Sequence, residues 1–512
     1  MWSLSKTIAE MNTYDPALIV PVYFPAVTPG ICRLVISLFI VYPLSYIHRE
    51  LVHRKAKTYQ LLYFLVSGVA VIYYVLGRAI LHCFLNIMLV WFIKLIFGPC
   101  RTSVVLTATV TMVYLVVGYI MTTSVEVYDV VWTMPHSIHT MKLIGLIFDY
   151  KDGNTDPAEL TEDQKKHAIR DFSLLELLSF CFTYTGGLTG PQITFTRFRA
   201  FCEGTMKMET DETGKPDSIN AAVKKLSTGS IFLAAYLFGG HLFHRDTVVS
   251  PTFHDHSLLY RLFYMSGYGQ LALTKYIGCW TVMEGGCMLL GISYDSSLPN
   301  KWGALQGVDI RGHFLGYSNK GFIDNFNLTT KYWFIRYLFK RTREWGKWTS
   351  MMYTYVFIIL WHGVLPGYWL AFLFEIPVIT AEKQFARSIY HYCGTYESWS
   401  PITQTVTMTA ARFARYLTLG YGIQPFILLT WQDTSHVYNG LYWGLHVILA
   451  VWLLLFNFCI EHRLPPVPRY QKKDKIEDRD YDELKKDKVH LAEQNKLNSR
   501  NGDTQGDKLK TM

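Results

Sequence analysis

Long apolar stretches follow one another along most of the chain, separated by short polar segments. Most are long enough for a helix that crosses a hydrocarbon core of about 30 Å, which takes roughly 20 residues. Several are short or interrupted by glycine and proline, a pattern typical of helices broken around a cavity. We therefore predict an all-α polytopic membrane protein with about ten or eleven membrane helices. The candidate spans are residues 31–47, 58–77, 79–98, 102–121, 173–191, 229–243, 258–293 (read as two helices), 350–379 (broken at Pro366), 412–431 and 437–459.

The stretch from residue 321 to residue 369 contains the most informative break. A helix that starts near Ser350 reaches His362 after 12 residues, which is about 18 Å and past the midpoint of the hydrocarbon core. In a continuous helix, Pro366 would leave the carbonyl of His362 without its donor and would clash with it. We therefore predict that the helix kinks or ends just after His362, as broken membrane helices do around polar cavities.

Two other segments depart from a plain membrane span. Residues 122–153 are amphipathic and aromatic, which fits an interfacial or cavity-lining segment better than a clean membrane helix. Residues 180–203 contain Gly186, Gly190 and Pro191, which break a helix and let backbones approach closely. The second segment is open to two interpretations: close helix packing on small residues, or room for a lipid chain.

The end of the chain differs in kind from the rest. Residues 461–512 hold 13 Lys and Arg and 11 Asp and Glu, with almost no aromatic residues, and such a segment cannot bury enough apolar surface to fold alone. We therefore divide the chain into a membrane-embedded domain, residues 1–460, and a charged, disordered, cytosolic tail, residues 461–512. Lys508 and Lys510 match the K-x-K-x-x retrieval pattern of endoplasmic reticulum membrane proteins, although a lysine-rich tail also produces this pattern by chance.

Composition supports a membrane protein and excludes several other classes. Half of the 512 residues are hydrophobic and the net charge is +9. The basic clusters at residues 48–57 and 340–347 predict cytosolic segments rather than nucleic-acid binding. Nine cysteines are scattered singly without zinc spacing, and no acid or thiol joins His241 and His244, so we expect neither a disulfide framework nor a metal site. The N-terminus lacks the basic-then-apolar pattern of a cleaved signal peptide.

Two polar residues around the break are candidates for chemistry. Burial favours the neutral form of His362, which is the form that a general base needs; the alternative is a histidine that hydrogen-bonds to a neighbouring helix. The Asn327 amide, 35 positions earlier, can donate to a developing oxyanion or orient a nucleophile. It can also cap the following helix or belong to an Asn-Leu-Thr glycosylation sequon, but the basic residues downstream favour a cytosolic stretch, where no glycan is added.

The densest basic run between helices is a candidate for binding phosphate groups at the mouth of a cavity. The same charges are expected if they only set the topology of the neighbouring helices. The run consists of Lys340, Arg341, Arg343 and Lys347. Three carboxylates fall in apolar stretches, and we expect them to pair with other groups or to line the cavity: Glu176, Glu284 and Glu375.

The motifs around these residues resemble the membrane-bound O-acyltransferase family. The block typical of the family consists of Phe326-Asn327, Trp361-His362-Gly363 and Pro366-Gly367-Tyr368. Further segments are similar to its lysophosphatidylcholine acyltransferase branch: Trp132-Thr133-Met134-Pro135-His136, Lys142-Leu143-Ile144-Gly145-Leu146, Asp149-Tyr150, Gly190-Pro191, Arg336-Tyr337 and Phe339-Lys340-Arg341. The resemblance covers roughly residues 25–460. One departure is Thr329, where the pattern of this branch leads us to expect asparagine; the change bears on recognition of the acceptor.

The resemblance implies a helix bundle around a central cavity and a membrane-remodelling acyltransferase. The lysine pattern at Lys508 and Lys510 predicts that it resides in the endoplasmic reticulum with a cytosolic C-terminus. It would move a long unsaturated acyl chain from acyl-CoA to the sn-2 hydroxyl of lysophosphatidylcholine, and also of lysophosphatidylethanolamine and lysophosphatidylserine. His362 would remove the hydroxyl proton, Asn327 would hydrogen-bond within the reacting centre, and the basic run would bind acyl-CoA. Acyl-CoA is then a co-substrate, and no permanently bound cofactor is implied. The expected partners are acyl-CoA, a lysophospholipid and the bilayer, not nucleic acid, and a homodimer is left open.

Two alternatives remain. The same chemistry can serve another acceptor, such as lysophosphatidylinositol or a protein, whereas the FYxDWWN pattern of sterol and diglyceride acyltransferases is absent from the sequence. The broken helices and buried polar groups also suit a transporter, although no internal repeat is visible. Formation of product from acyl-CoA by the purified protein separates the enzyme from the transporter.

Overall fold

The computed structural model describes residues 28–123, 130–394 and 396–464. Within these ranges the chain is helical, and the β-type pairing found there is one isolated bridge between Thr210 and Pro216. The expected all-α fold is therefore confirmed. Residues 465–512 lie outside the described ranges, so the disordered tail and its retrieval signal stay predictions.

The first part of the described chain begins with long apolar helices and continues with shorter, more polar ones. Glycines end two of the long helices with positive φ angles, Gly77 at 57° and Gly98 at 65°, a conformation that costs glycine little. The helices are α1 (Pro29–Ile47), α2 (Lys57–Leu76), α3 (Ile80–Phe97), α4 (Arg101–Thr122), α5 (Thr133–Asp152), α6 (Glu162–His167), α7 (Leu174–Phe182) and α8 (Phe195–Cys202).

The second part alternates long helices with short segments that carry the candidate residues. A π-helical turn, Ile335–Phe339, extends α14 toward the basic run. The helices are α9 (Ile219–Gly239), α10 (Arg245–Val249), α11 (Leu258–Leu290), α12 (Ile310–Leu315), α13 (Asn319–Asn325), α14 (Leu328–Phe334), α15 (Lys347–His362), α16 (Pro366–Cys393), α17 (Pro401–Gly422), α18 (Gln424–Leu428), α19 (Trp431–Gly440) and α20 (Gly444–Leu455).

Four stretches of the described residues are long and apolar enough to cross a membrane by length and composition. They are Pro29–Val52, Lys57–Phe97, Arg101–Thr122 and Gly444–Arg463. The remaining helices are shorter or carry more polar residues. The count of ten or eleven membrane helices therefore stays a prediction.

One expectation about the helices was wrong. Residues 258–293 were read as two helices, but α11 is continuous over 33 residues. Its glycines are contact points: a Cβ atom at Gly278 would lie 2.8 Å from the Leu233 side chain, and one at Gly229 would lie 2.6 Å from Val282. Close packing of α9 on α11 thus explains these glycines.

The two predicted breaks are present. Helix α7 ends at Phe182, and Gly190 in the following loop has a φ of 118°. A Cβ atom at Gly187 would lie 2.8 Å from the carbonyl oxygens of Cys181 and Thr183, so this loop is packed tightly against the end of its own helix. Helix α15 likewise ends at His362, and α16 begins at Pro366.

Helix α5 lies at the centre of the part that concerns function. Almost all of its side chains are buried, and several line a cavity, so the cavity-lining interpretation of residues 122–153 holds for this helix; residues 124–129 lie outside the described ranges. Met141 and Ile144 pack with Trp333 and Phe357 in one hydrophobic cluster. This cluster fixes α14 and α15 against α5.

Candidate active site

His362 is the last residue of α15, and the chain turns immediately after it. Gly363 has a φ of 147°, and a Cβ atom there would lie 2.7 Å from the Tyr368 ring. A larger residue would therefore have a strained backbone and would clash with Tyr368. The next helix starts with Pro366, whose missing N–H is tolerated in the first helical turn. The break therefore follows from a proline and a glycine placed around the histidine.

The start of α16 is held by close backbone packing. The Gly367 N–H donates to the carbonyl of Leu429 at 2.8 Å. A Cβ atom at Gly367 would lie 2.1 Å from the carbonyl oxygen of Pro425, so only glycine fits this position without a backbone shift. The helix that follows the break is thereby fixed to α18.

The imidazole of His362 lies in an aromatic surround. Ring centroids of Trp361, Tyr368, Phe372 and Phe426 lie 4.7, 5.8, 5.1 and 5.2 Å from it. Among the described residues, no hydrogen bond to either ring nitrogen is found, and the side chain is partly exposed. The histidine is thus not bonded to a neighbouring helix, and its ring can accept a proton from a bound molecule.

Asn327 adopts the left-handed conformation, with φ 48° and ψ 49°, at the residue before α14. Asparagine tolerates this conformation better than most residues. Its side chain makes no capping hydrogen bond to α14, so the interpretation of Asn327 as a side-chain cap of this helix was wrong. The turn is fixed by backbone bonds of 2.9 Å from Asp309 to Asn325 and from Leu328 to Gly307, and the amide remains partly exposed.

His362 and Asn327 are linked through α16. In the described part of the chain no hydrogen bond joins the two side chains directly. Glu382 on α16 accepts the backbone N–H groups of Asn319 at 2.7 Å and Lys320 at 3.0 Å. These N–H groups begin α13, which leads directly into Asn327, so the helix that starts after His362 also holds the turn that carries Asn327.

A cavity of about 420 Å³ opens between α5, α14 and the loops around residues 192–197 and 294–305. Neither His362 nor Asn327 is part of its lining, but Thr329, two residues after Asn327, is. The Gln192 N–H donates to the Thr329 hydroxyl at 3.1 Å. The position that departs from the expected asparagine therefore forms part of the cavity wall.

Most members of the predicted basic run make contacts within the protein. Arg341 forms a two-bond ion pair with the buried Asp152, one bond of which is 2.9 Å long. Lys340 lies 3.7 Å from Asp163, and the Arg343 guanidinium lies over the Phe339 ring at 5.2 Å. Lys347 is exposed at the first position of α15. None of the four lines the cavity of about 420 Å³.

The cations that do line this cavity come from separate parts of the chain, so the sequence alone does not mark them as a set. No run of charge marks them, because they lie on different helices and loops. A three-dimensional arrangement was needed to bring them together. They are Lys142, Lys166, Arg197, Lys207 and Arg336.

Lys142 is the most buried of these cations. Its ammonium group donates to the carbonyl of Phe180 at 2.8 Å and lies 3.5 Å from that of Cys181, which are the last carbonyls of the broken helix α7. Within the described ranges it has no carboxylate partner. Lysine at a helix C-terminus stabilises the unpaired carbonyls and the helix dipole, so Lys142 supports the break as well as the cavity wall.

Arg336 closes the edge of the cavity through an ion pair. Its guanidinium lies 3.0 Å from Asp163 on α6, whose side chain is 11% exposed. Burial raises the pKa of Asp163, but the charges of Arg336, His167 and Lys340 outweigh burial and hold this pKa below its usual value. The carboxylate is therefore ionised at neutral pH and keeps α6 beside the cavity.

The three carboxylates of the apolar stretches are paired, as expected. Glu176 binds two cations, and Glu284 binds Lys225 at 2.8 Å. Glu375 differs from the other two, because it accepts a hydrogen bond of 2.8 Å from the Tyr355 hydroxyl. No ion pair to Glu375 is found among the described residues.

Comparison with known proteins gives consistent results. Residues 117–418 match the model of the membrane-bound O-acyltransferase family. The chain is similar to lysophospholipid acyltransferase 5 of Homo sapiens, with 33% identity over 87% of this chain and 91% of the relative. It is 27% identical to the Drosophila melanogaster protein of the same name over 83% of this chain and 86% of that protein. A Schizosaccharomyces pombe lysophospholipid acyltransferase is 26% identical over 65% of this chain and 68% of its own length.

Proposed function

The chain belongs to the membrane-bound O-acyltransferase family, and from this premise we propose that it is an acyl-CoA-dependent lysophospholipid acyltransferase. It transfers a long unsaturated acyl chain to the sn-2 hydroxyl of lysophosphatidylcholine, and also of lysophosphatidylethanolamine and lysophosphatidylserine. The names and the extent of the similar proteins support this activity. The product is a two-chain phospholipid, so the reaction remodels membrane lipids.

His362 acts as the general base. A ring nitrogen takes the proton of the sn-2 hydroxyl, and the oxygen attacks the thioester carbonyl. The new C–O bond forms as the C–S bond breaks, and the coenzyme A thiolate recovers the proton from the imidazolium. The observation that carries this assignment is the partly exposed ring without a hydrogen-bond partner among the described residues, at the end of a broken helix.

Asn327 assists the same step. Its amide, which does not cap α14, donates a hydrogen bond to the oxyanion of the thioester or orients the attacking hydroxyl. The turn held by Glu382 keeps this amide in place. Because the thioester is already activated, the reaction requires no covalent intermediate on the protein and no resident cofactor.

Acyl-CoA is the donor, and its phosphate groups need cations. The cavity of about 420 Å³ supplies Lys166, Arg197 and Lys207. The basic run Lys340, Arg341, Arg343 and Lys347 is a second candidate, and Lys340 is its nearest member because it shares Asp163 with the cavity-lining Arg336. The acyl chain and the thioester would extend from this cavity toward His362.

The proposed cellular location rests on the predicted membrane-embedded domain and on the charged tail. We place the protein in the endoplasmic reticulum membrane with the basic clusters and residues 461–512 on the cytosolic side. The lysine pattern at Lys508 and Lys510 supports retrieval to that membrane. A homodimer remains compatible with this proposal.

A mass-spectrometric assay of purified protein tests the proposal. Wild type and His362→Ala protein receive one acyl-CoA with lysophosphatidylcholine, lysophosphatidylethanolamine, lysophosphatidylserine, lysophosphatidylinositol or an acceptor peptide. We expect two-chain product from the first three with wild type and none with the variant. Transfer only to lysophosphatidylinositol or the peptide would establish another acceptor. Absence of any acyl transfer by folded wild type would contradict the enzyme and favour a transporter.

A further inference from the structure

Two contacts connect α15 and α16 on the face that carries His362. The first is the ring contact between His362 and Phe372, whose centroids lie 5.1 Å apart. The second is the hydrogen bond of 2.8 Å between Tyr355 and Glu375. Tyr355 lies seven residues before His362, and Glu375 lies three residues after Phe372, so each helix presents its two residues on one face. His362 and Phe372 thus form one layer of contacts between the two helices, and Tyr355 and Glu375 form the next layer.

Glu375 is exceptional among the three carboxylates of the apolar stretches. Glu176 and Glu284 are each neutralised by cationic side chains, whereas the described partner of Glu375 is a phenol. A carboxylate in an apolar environment is costly unless a positive charge or several hydrogen bonds compensate it. Glu375 and Tyr355 are both partly exposed, so a bound molecule can reach the carboxylate.

The spacing of the two layers corresponds to the size of a phospholipid head group. Seven residues of α-helix separate Tyr355 from His362, which is a rise of about 10.5 Å. In a lysophospholipid with an amine head group, eight covalent bonds separate the sn-2 oxygen from the ammonium nitrogen. At roughly 1.2 Å of span per bond, as in an extended chain, this distance is about 10 Å. On α16 the rise from Phe372 to Glu375 is shorter, about 4.5 Å. With the hydroxyl at His362, the ammonium group can therefore reach as far as Tyr355 when the head group is extended, and Glu375, the partner of Tyr355, is within that reach.

We propose that Glu375 selects acceptors whose head group carries a positive charge, with Tyr355 orienting its carboxylate. The inference rests on the proposed function, because it assigns part of the acceptor site for that reaction. The ring of Phe372, which contacts His362 and lies three residues before Glu375 on α16, offers a face for a cation–π contact with a quaternary ammonium group. The two substrates then meet opposite charges: cations of the cavity for the anionic donor, and Glu375 for the acceptor.

Head-group preference of Glu375→Gln protein tests this inference. The acceptors are lysophosphatidylcholine and lysophosphatidylglycerol with the same acyl chain, and the second has no positive charge. We expect wild type to prefer lysophosphatidylcholine. In the variant, kcat/KM for lysophosphatidylcholine should fall by about thirtyfold or more, mainly through KM, while values for lysophosphatidylglycerol and for acyl-CoA stay unchanged.

Other results overturn the inference while leaving the proposed function intact. An equal loss for both acceptors would show that Glu375 acts through His362 instead of the head group, and so would a loss in kcat alone. Wild type that does not distinguish the two acceptors would also overturn it. Absence of transfer by wild type to either acceptor, in contrast, contradicts the proposed function itself.

Two further variants control for folding. Glu284→Gln removes the buried carboxylate that pairs with Lys225, and any effect of it should fall equally on both acceptors. If Glu375→Gln does not fold, Glu375→Asp keeps the charge but moves it back by one methylene group. We then expect a raised KM for lysophosphatidylcholine alone, and an unchanged KM in folded protein overturns the inference.

Discussion

The indole Nε1 of Trp361 donates a hydrogen bond of 2.8 Å to the carbonyl oxygen of Ser137. The carbonyl of Trp361 in turn accepts a bond of 2.8 Å from the Tyr119 hydroxyl. These bonds tie the end of α15 to α4 and α5, so the position of His362 is fixed relative to the helix that lines the cavity.

Replacement of His362 by alanine should abolish acyl transfer. Loss of a general base typically lowers a rate by 10²–10⁴-fold, and the protein should still insert and fold because the imidazole has no hydrogen bond to the described chain. Product formation and the melting temperature are measured together. His391→Ala is the matched control, since His391 is exposed on α16, and it should retain full activity. Retention of more than about a tenth of the activity in His362→Ala would contradict the role of His362.

Replacement of Asn327 by glycine should be nearly as severe. Glycine adopts the left-handed conformation at least as easily as asparagine, so the turn survives while the amide is lost. We expect kcat to fall by about 10²-fold or more with an unchanged melting temperature. Asn327 should also carry no glycan. A glycosidase-dependent mobility shift that disappears in the variant would refute both its cytosol-connected placement and its catalytic role.

Variants of two exposed lysines distinguish between the two candidate binding sites for acyl-CoA. Lys207 lines the cavity, whereas Lys347 belongs to the basic run. Lys207→Glu should raise KM for acyl-CoA by roughly tenfold and leave KM for the lysolipid unchanged. Lys347→Glu should act in the same direction but less strongly. A stronger effect of Lys347→Glu would place the phosphate groups on the basic run instead, and equal effects on both substrates would indicate a change in folding.

The ion pair between Arg341 and Asp152 should matter for stability. Asp152 is 1% exposed, and removing one partner of a buried pair costs about 3–5 kcal/mol because it leaves an uncompensated charge. Arg341→Met should therefore lower the melting temperature, and Asp152→Asn combined with Arg341→Met should recover most of it. A variant with unchanged melting temperature and a raised KM for acyl-CoA would show that Arg341 binds the donor.

The retrieval pattern at the end of the chain gives a prediction about location. Lys508→Ser combined with Lys510→Ser should let the protein leave the endoplasmic reticulum for the Golgi, because cytosolic receptors read such signals. Immunofluorescence of an epitope placed after Met512 checks both location and orientation. The epitope should be reached when the plasma membrane alone is permeabilised. Labelling only after the reticulum membrane is opened would contradict the orientation and the signal together.

Local chemistry decided which structural features the sequence could predict. The helix end at His362 was predictable because Pro366 has no N–H to donate to the carbonyl of His362, four residues earlier, and its ring would clash with that carbonyl. The continuity of α11 was not predictable. A glycine such as Gly278 can either interrupt a helix or serve as a contact point for another helix, and the sequence does not show that α9 packs there. The cavity cations were missed for a similar reason, since Lys142 and Lys207 are far apart in sequence. The pairing of Glu375 was expected, but its phenolic partner was not.

The continuous helix α11 has a mechanical consequence. Its 33 residues span about 50 Å, well beyond a hydrocarbon thickness of about 30 Å. If α11 crosses the bilayer, as the sequence predicts, it has to tilt steeply or project beyond the lipid. Its glycine contacts with α9 hold the two helices together along their length. Two helices joined by a hinge would have let the halves of the bundle bend against each other. We therefore expect entry and exit of the proposed substrates to depend on movement of segments outside the α9–α11 pair.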